Sequence, residues 1–159
     1  MSSYWLCKTE PTVYSITDLR RDRITGWECI RNYQARNFMR DSMAAGDKVL
    51  IYHSNADPTG IAGIAEVVGE PRADPTQFDA KSEYHDPKST QAAPRWMMRD
   101  LKFVECFSRV VTLDELRASP VLKSMAALQK GNRLSVTPVT AAEFAAVLRM
   151  AASSADPKR

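Results

Sequence analysis

The stretch from Trp27 to Arg40, WECIRNYQARNFMR, places three Arg, two Asn, a Gln, a Tyr, a Trp and a Phe within fourteen residues. A segment that only filled a core would not carry so many planar hydrogen-bonding groups. A solvated surface helix would not need so many rings. Ring faces, guanidinium forks and amides together suit a planar, polar ligand such as a nucleobase with its phosphates. Trp5, Tyr52 and Trp96 add rings near predicted strand ends or turns, and Lys8, Glu10 and His53 add polar groups beside them. For any one ring the plain alternative is core packing, since Tyr and Trp are often half-buried. Their co-occurrence favours a pocket.

Other chemistries have less support. A Cys nucleophile needs a His base, and His53 and His85 are the two histidines, with no signature pairing either to Cys7, Cys29 or Cys106. Two His and scattered carboxylates make a poor metal set, and no C-x-x-C is present. Neither G-x-x-x-x-G-K-[ST] nor G-x-G-x-x-G occurs, so the common phosphate-cradling loops are missing. No metal and no cofactor are expected. Arg20, Arg21, Arg23, Arg36 and Arg40 could form a phosphate-tracking face, against the plain alternative of a solvated surface. A net charge of +3 permits a polyanion without demanding one.

The elements that must position these groups follow from pattern. The 159 residues suffice for one cored domain, expected over 1–150 with a polar, disordered tail over 151–159. Hydrophobic residues at 44% and charged residues at 26% match a soluble globular protein, and no apolar run is long enough for a membrane span. Three dispersed cysteines and no signal-peptide pattern fit a reducing cytoplasm, or the nucleus in a eukaryote. Strands are predicted at Tyr4–Cys7, Trp27–Ile30, Lys48–Ser54, Ile61–Val68, Trp96–Phe107 and Arg133–Pro138. Leu101, Phe103 and Phe107 are expected on one face of the fifth. Helices are predicted to start at Ser15, Asn32, Thr112 and Thr140, with Asp18, Glu115 and Glu143 at the capping-box offset of the first, third and fourth. Gly60 and Gly63 predict a bulge or a close approach to backbone. The irregular run from Pro71 to Pro94 is long enough to expect a functional loop. The fold class expected is α+β, a mixed sheet of five or six strands with flanking helices.

The motifs YWLCKTEP, IRNYQARNFMRD, GDKVLIYHSN, GIAGIAEV, YHDPKS, PRW and RLSVTPV resemble, in order and over nearly the whole chain, those of the EVE domain family. The resemblance implies a PUA-like, strongly curved β-barrel flanked by helices, similar to YTH and SRA modules that grip one flipped, modified base. The implied function is a non-catalytic reader of a modified base, a modified cytosine in DNA or a modified base in RNA, working as a monomer away from membranes. By motif, the base pocket would draw on Trp5, Lys8, Glu10, Asn32, Tyr33, Gln34, Asn37, Tyr52, His53, Ser54 and Trp96. Arg31, Arg36, Arg40, Arg20 and Arg21 would meet phosphates. Cys29-Ile30 stand where the family commonly has Gly-Val, so the Cys29 side chain is expected to narrow the approach to ligand. Arg99 stands at a usually apolar place and is expected to extend a basic rim. Two alternatives stay open: an enzyme on a modified nucleoside or small metabolite using His53, Lys8 and Glu10, or a protein-interaction module using the Pro71–Pro94 loop.

Overall fold

Alternation along two adjacent strands sets the layers. In β1 (Tyr4–Thr9), Trp5 and Cys7 enter one buried cluster and Leu6 the other. In β3 (Lys48–His53), Val49 and Ile51 join the first cluster while Leu50 and Tyr52 join the second. Successive side chains of a strand point to opposite faces, so a strand apolar at every position must be covered on both. Both faces are covered here. One carries α1 (Ile16–Asp22) and α2 (Tyr33–Asn37), and the other α3 (Leu113–Ala118) and α4 (Ala141–Ala152).

The remaining strands are β2 (Ile24–Trp27), β4 (Gly60–Ala73), β5 (Met97–Thr112) and β6 (Val136–Val139). This computed structural model describes residues 3–153. All six strands form one sheet in the order β2-β5-β4-β3-β1-β6, with β1 and β3 parallel and the other pairs antiparallel. The α+β, PUA-like architecture is present, and the sheet is open: β2 and β6 are its two edges and do not pair.

Curvature comes from the two long strands. The β4–β5 register shifts between Ile61 and Gly63, Ile64 and Ala65, and Val68 and Arg72, and each bulge bends the ladder and adds twist. One shift also corrects the expectation for β5. Leu101 and Phe103 belong to the first cluster, but Phe107 belongs to the second, because the bulge between flips the alternation. Gly60 and Gly63 of β4 are close-approach sites, though to protein. A Cβ at Gly60 would stand 2.1 Å from the Val111 carbonyl oxygen, and one at Gly63 2.3 Å from that of Glu105.

The predicted capping boxes form at Ser15/Asp18, Thr112/Glu115 and Thr140/Glu143. The second strand differs from expectation: β2 ends at Trp27, and 28–32 run on as an irregular segment toward α2. Asn32 caps α2 by accepting from the Ala35 N–H. The helix then widens into a π turn, Phe38–Ser42, closed by the Met43 N–H donating to the Phe38 carbonyl at 2.8 Å. Helix α4 runs to Ala152, and 154–159 lie outside the described residues.

Candidate functional site

The open edge of the sheet makes a cleft. Its volume is about 610 Å³, and its walls come from both sides of the gap. Lys8, Thr9 and Glu10 at the end of β1, with Ser135 beside them, form one wall, and Thr25, Gly26 and Trp27 of β2 form the other. Glu28, Cys29 and Ile30 close one end with Glu83 and Tyr84 from the long loop, and Tyr14 stands ahead of α1. A cleft of this size with rings and a few polar groups is the usual form of a small-ligand site.

The aromatic walls are fixed by their own contacts. Tyr14 meets Trp27 edge-on, with centroids 6.2 Å apart, and its hydroxyl donates to Asp22 at 2.8 Å. Tyr84 is half-buried, with the Arg31 guanidinium 5.5 Å from its ring centre. Burial, then the neighbouring Glu83 carboxylate, pushes the Tyr84 hydroxyl up from its ordinary pKa.

A buried carboxylate ties the two ends of this wall together. Asp74 has no exposed surface. It accepts from the Cys29 N–H at 2.6 Å, from the Thr76 N–H at 2.7 Å and hydroxyl at 2.5 Å, and from Arg31 at 3.2 Å. Burial pushes the Asp74 carboxyl up, but the hydrogen bonds from Thr76, Cys29 and Arg31 outweigh it and hold the group below its ordinary value. Arg31 donates further to Thr76 Oγ1, to the Ile30 carbonyl and twice to the Tyr84 carbonyl. All five of its N–H groups are engaged within the protein, so in this conformation it positions Tyr84 rather than offering donors to a phosphate.

The other predicted pocket residues divide. Lys8 and Glu10 line the cleft. Trp5 does not: it is buried, its indole N–H donates to Asp47 at 3.0 Å, and it packs on Phe38. Tyr52 is core, with the Lys8 ammonium 5.6 Å from its ring. His53 is buried, and its Nε2 accepts from the Ile16 N–H at 3.1 Å, satisfying the start of α1. Desolvation lowers its pKa, which favours the neutral ring that this acceptor role needs. Ser54 sits past β3, its N–H donating to the Thr9 carbonyl. Trp96 is buried between other groups: Tyr33 stacks on it at 4.7 Å, Arg31 lies 5.2 Å from its centre, and its N–H donates to Asp86. Tyr33, Asn32, Gln34 and Asn37 are exposed on α2 or its cap, away from the cleft lining.

Several basic residues are also engaged. Arg21 pairs with Asp18 and Asp22, and Arg40 with Asp41. Arg36 donates to the Arg95 carbonyl and to Asn37. Arg20 is exposed. The basic rim expected of Arg99 is overturned: Arg99 is 2% exposed and donates to the carbonyls of Met39, Met43 and Gly69. Its charge tethers the π turn to the bulged stretch of β4 at Gly69.

Tyr14, Glu28, Glu83 and Tyr84, which line this cleft, and Asp74, which holds its wall, are not among the residues the sequence singles out. Tyr84 begins the motif YHDPKS, so its signal was on view. Asp74 had none, because a carboxylate in a Pro-rich loop looks like a turn residue.

The EVE domain profile matches residues 3–150. The chain belongs to the EVE domain family. Thymocyte nuclear protein 1 of Homo sapiens is 37% identical to this EVE domain over 169 residues, spanning 94% of this chain and 74% of the relative. The Danio rerio protein of the same name is 40% identical, spanning 93% and 71%. Among solved structures, a hypothetical protein from Leishmania major is 48% identical with a TM-score of 0.91, and 95% of each chain is covered. Human THYN1 in complex with DNA containing 5-methylcytosine is 37% identical with a TM-score of 0.89, covering 96% of this chain and 99% of that one. No group of three or more metal-binding side chains, and no helix long and apolar enough to cross a membrane, occurs among the described residues.

Proposed function

We propose that this EVE domain is a non-catalytic reader of a modified cytosine in DNA, taking the base, flipped from its strand, into the cleft between β1 and β2. The observation that carries the reading is the composition of that cleft. Tyr14, Trp27 and Tyr84 supply ring surface, while Lys8, Thr25 and Glu28 supply polar groups around it. A base offers two apolar faces and a polar edge, which is the complement of such a lining. The human relative crystallised with 5-methylcytosine DNA supports the same choice of ligand.

The charges of the cleft support a base rather than a phosphate inside it. Glu10, Glu28 and Glu83 outnumber Lys8 in the lining, so a phosphate would be repelled and must stay at the rim. Fluorescence titration with DNA and RNA oligonucleotides carrying 5-methylcytosine or plain cytosine tests the proposal. Tighter binding of the modified DNA is expected, and Tyr84→Ala should weaken it by about 1–3 kcal/mol. Equal or absent binding for every modified base overturns the reading, and preference for the RNA oligonucleotide moves it to RNA.

A further inference from the structure

Three carboxylates line the cleft, and they are not equivalent. Glu10 accepts from the Asn55 side-chain amide at 2.5 Å and so is already engaged. Glu28 and Glu83 are both exposed, and Glu83 sits on the long loop with its charge next to the Tyr84 hydroxyl. Glu28 makes no hydrogen bond and no ion pair among the described residues. It precedes Cys29, whose N–H is fixed to the fully buried Asp74, so its backbone is held while its side chain is uncommitted. Desolvation, then the Asp74 charge, raises its pKa, with Arg31 opposing.

We infer that Glu28 sets which base the cleft accepts, by taking a hydrogen bond from an exocyclic amino group such as N4 of a cytosine. This rests on the cleft being the base site. Cytosine presents an N4 amino donor where thymine presents an O4 acceptor. 5-Methylcytosine and thymine share the C5 methyl, so neither the rings nor the shape of the cleft separates them. A carboxylate does, because it pairs with the amine and repels the carbonyl oxygen. The charged and titratable groups near it are Asp74, Arg31, Cys29, Glu83 and Lys8. Asp74 is saturated and Arg31 fully engaged, which leaves Glu28 and Glu83 as acceptors able to change partners, and of the two Glu28 is the one set between the Trp27 ring and the Cys29 backbone that Asp74 holds.

The test compares one oligonucleotide carrying 5-methylcytosine, thymine or plain cytosine at the same single position. The unmodified protein should favour 5-methylcytosine over thymine by about ten- to hundredfold. Glu28→Ala should bring that ratio close to one, by weakening the 5-methylcytosine complex and relieving the repulsion of thymine O4. Glu28→Gln, which keeps an acceptor without the charge, should fall between. If the protein prefers 5-methylcytosine to cytosine but Glu28→Ala leaves the thymine ratio unchanged, the inference is overturned and the reader function stands. Loss of the discrimination in Glu83→Ala, rather than in Glu28→Ala, overturns the inference in the same way. If none of the three oligonucleotides is preferred, the reader function and this inference fall together.

Discussion

Asp74 holds the cleft wall, and its removal should show in both stability and pH response. Asp74→Ala strips Arg31 of its buried partner and the Cys29 and Thr76 donors of their acceptor. Losing one partner of a buried charged pair costs about 3–5 kcal/mol, which chemical denaturation would measure. The carboxyl's pKa is lower folded than unfolded, so its stabilisation is complete above an unfolded value of about 4 and is lost as pH falls below that. Denaturant midpoints should therefore drop steeply below about pH 4 for the native chain and less for Asp74→Asn. Cys29 provides the opposite case. Its φ is +70°, a left-handed conformation that costs a non-glycine residue about 1–2 kcal/mol. Cys29→Gly relieves that cost against glycine's greater freedom when unfolded, for a net gain of about 0.5–1 kcal/mol in thermal unfolding. At this scale the sequence was a partial guide. It marked Lys8, Glu10 and Cys29, but His53, Tyr52, Trp5 and Trp96 are the same residue types put to core and capping use. Type alone cannot show which side of a strand a side chain leaves from when bulges intervene.

The two long strands show the same limit among the elements. The β3 strand and the three capping boxes were legible because one local rule governs each, a doubly apolar run or a Ser/Thr with an acid three residues on. The reach of β5 to Thr112 and the flip of Phe107 were not, because a bulge depends on a partner strand distant in sequence. The π turn was equally hidden. It ends α2 early and leaves main-chain oxygens that Arg99 satisfies from β5. Arg99→Ala should cost about 3 kcal/mol, the worth of charged hydrogen bonds to buried carbonyls. Circular dichroism during urea unfolding would record the loss. No such cost would mean that the turn does not depend on this tether.

Over the whole molecule, the mild positive charge combines with arginines several of which serve the protein itself. With Arg21, Arg31, Arg36 and Arg40 engaged in internal contacts, four of the five arginines that the family resemblance offers for phosphates already have partners. A plot of log affinity against log salt should then have a slope of only about −1 to −3, equivalent to one to three phosphate contacts. A slope several times steeper would require the internal pairs to open on binding. The α+β class was legible from the alternating elements, whereas the open edge was not, since nothing local tells a strand that it lacks a neighbour. That edge also has a kinetic consequence. Strand β2 is hydrogen-bonded to β5 alone, while β3 is held on both sides, so β2 amides should exchange with deuterated solvent well before those of β3. A guest that spans the gap adds a tie where the sheet has none. Its arrival should slow exchange in β2 far more than in β3, making the outermost strand a clock for occupancy.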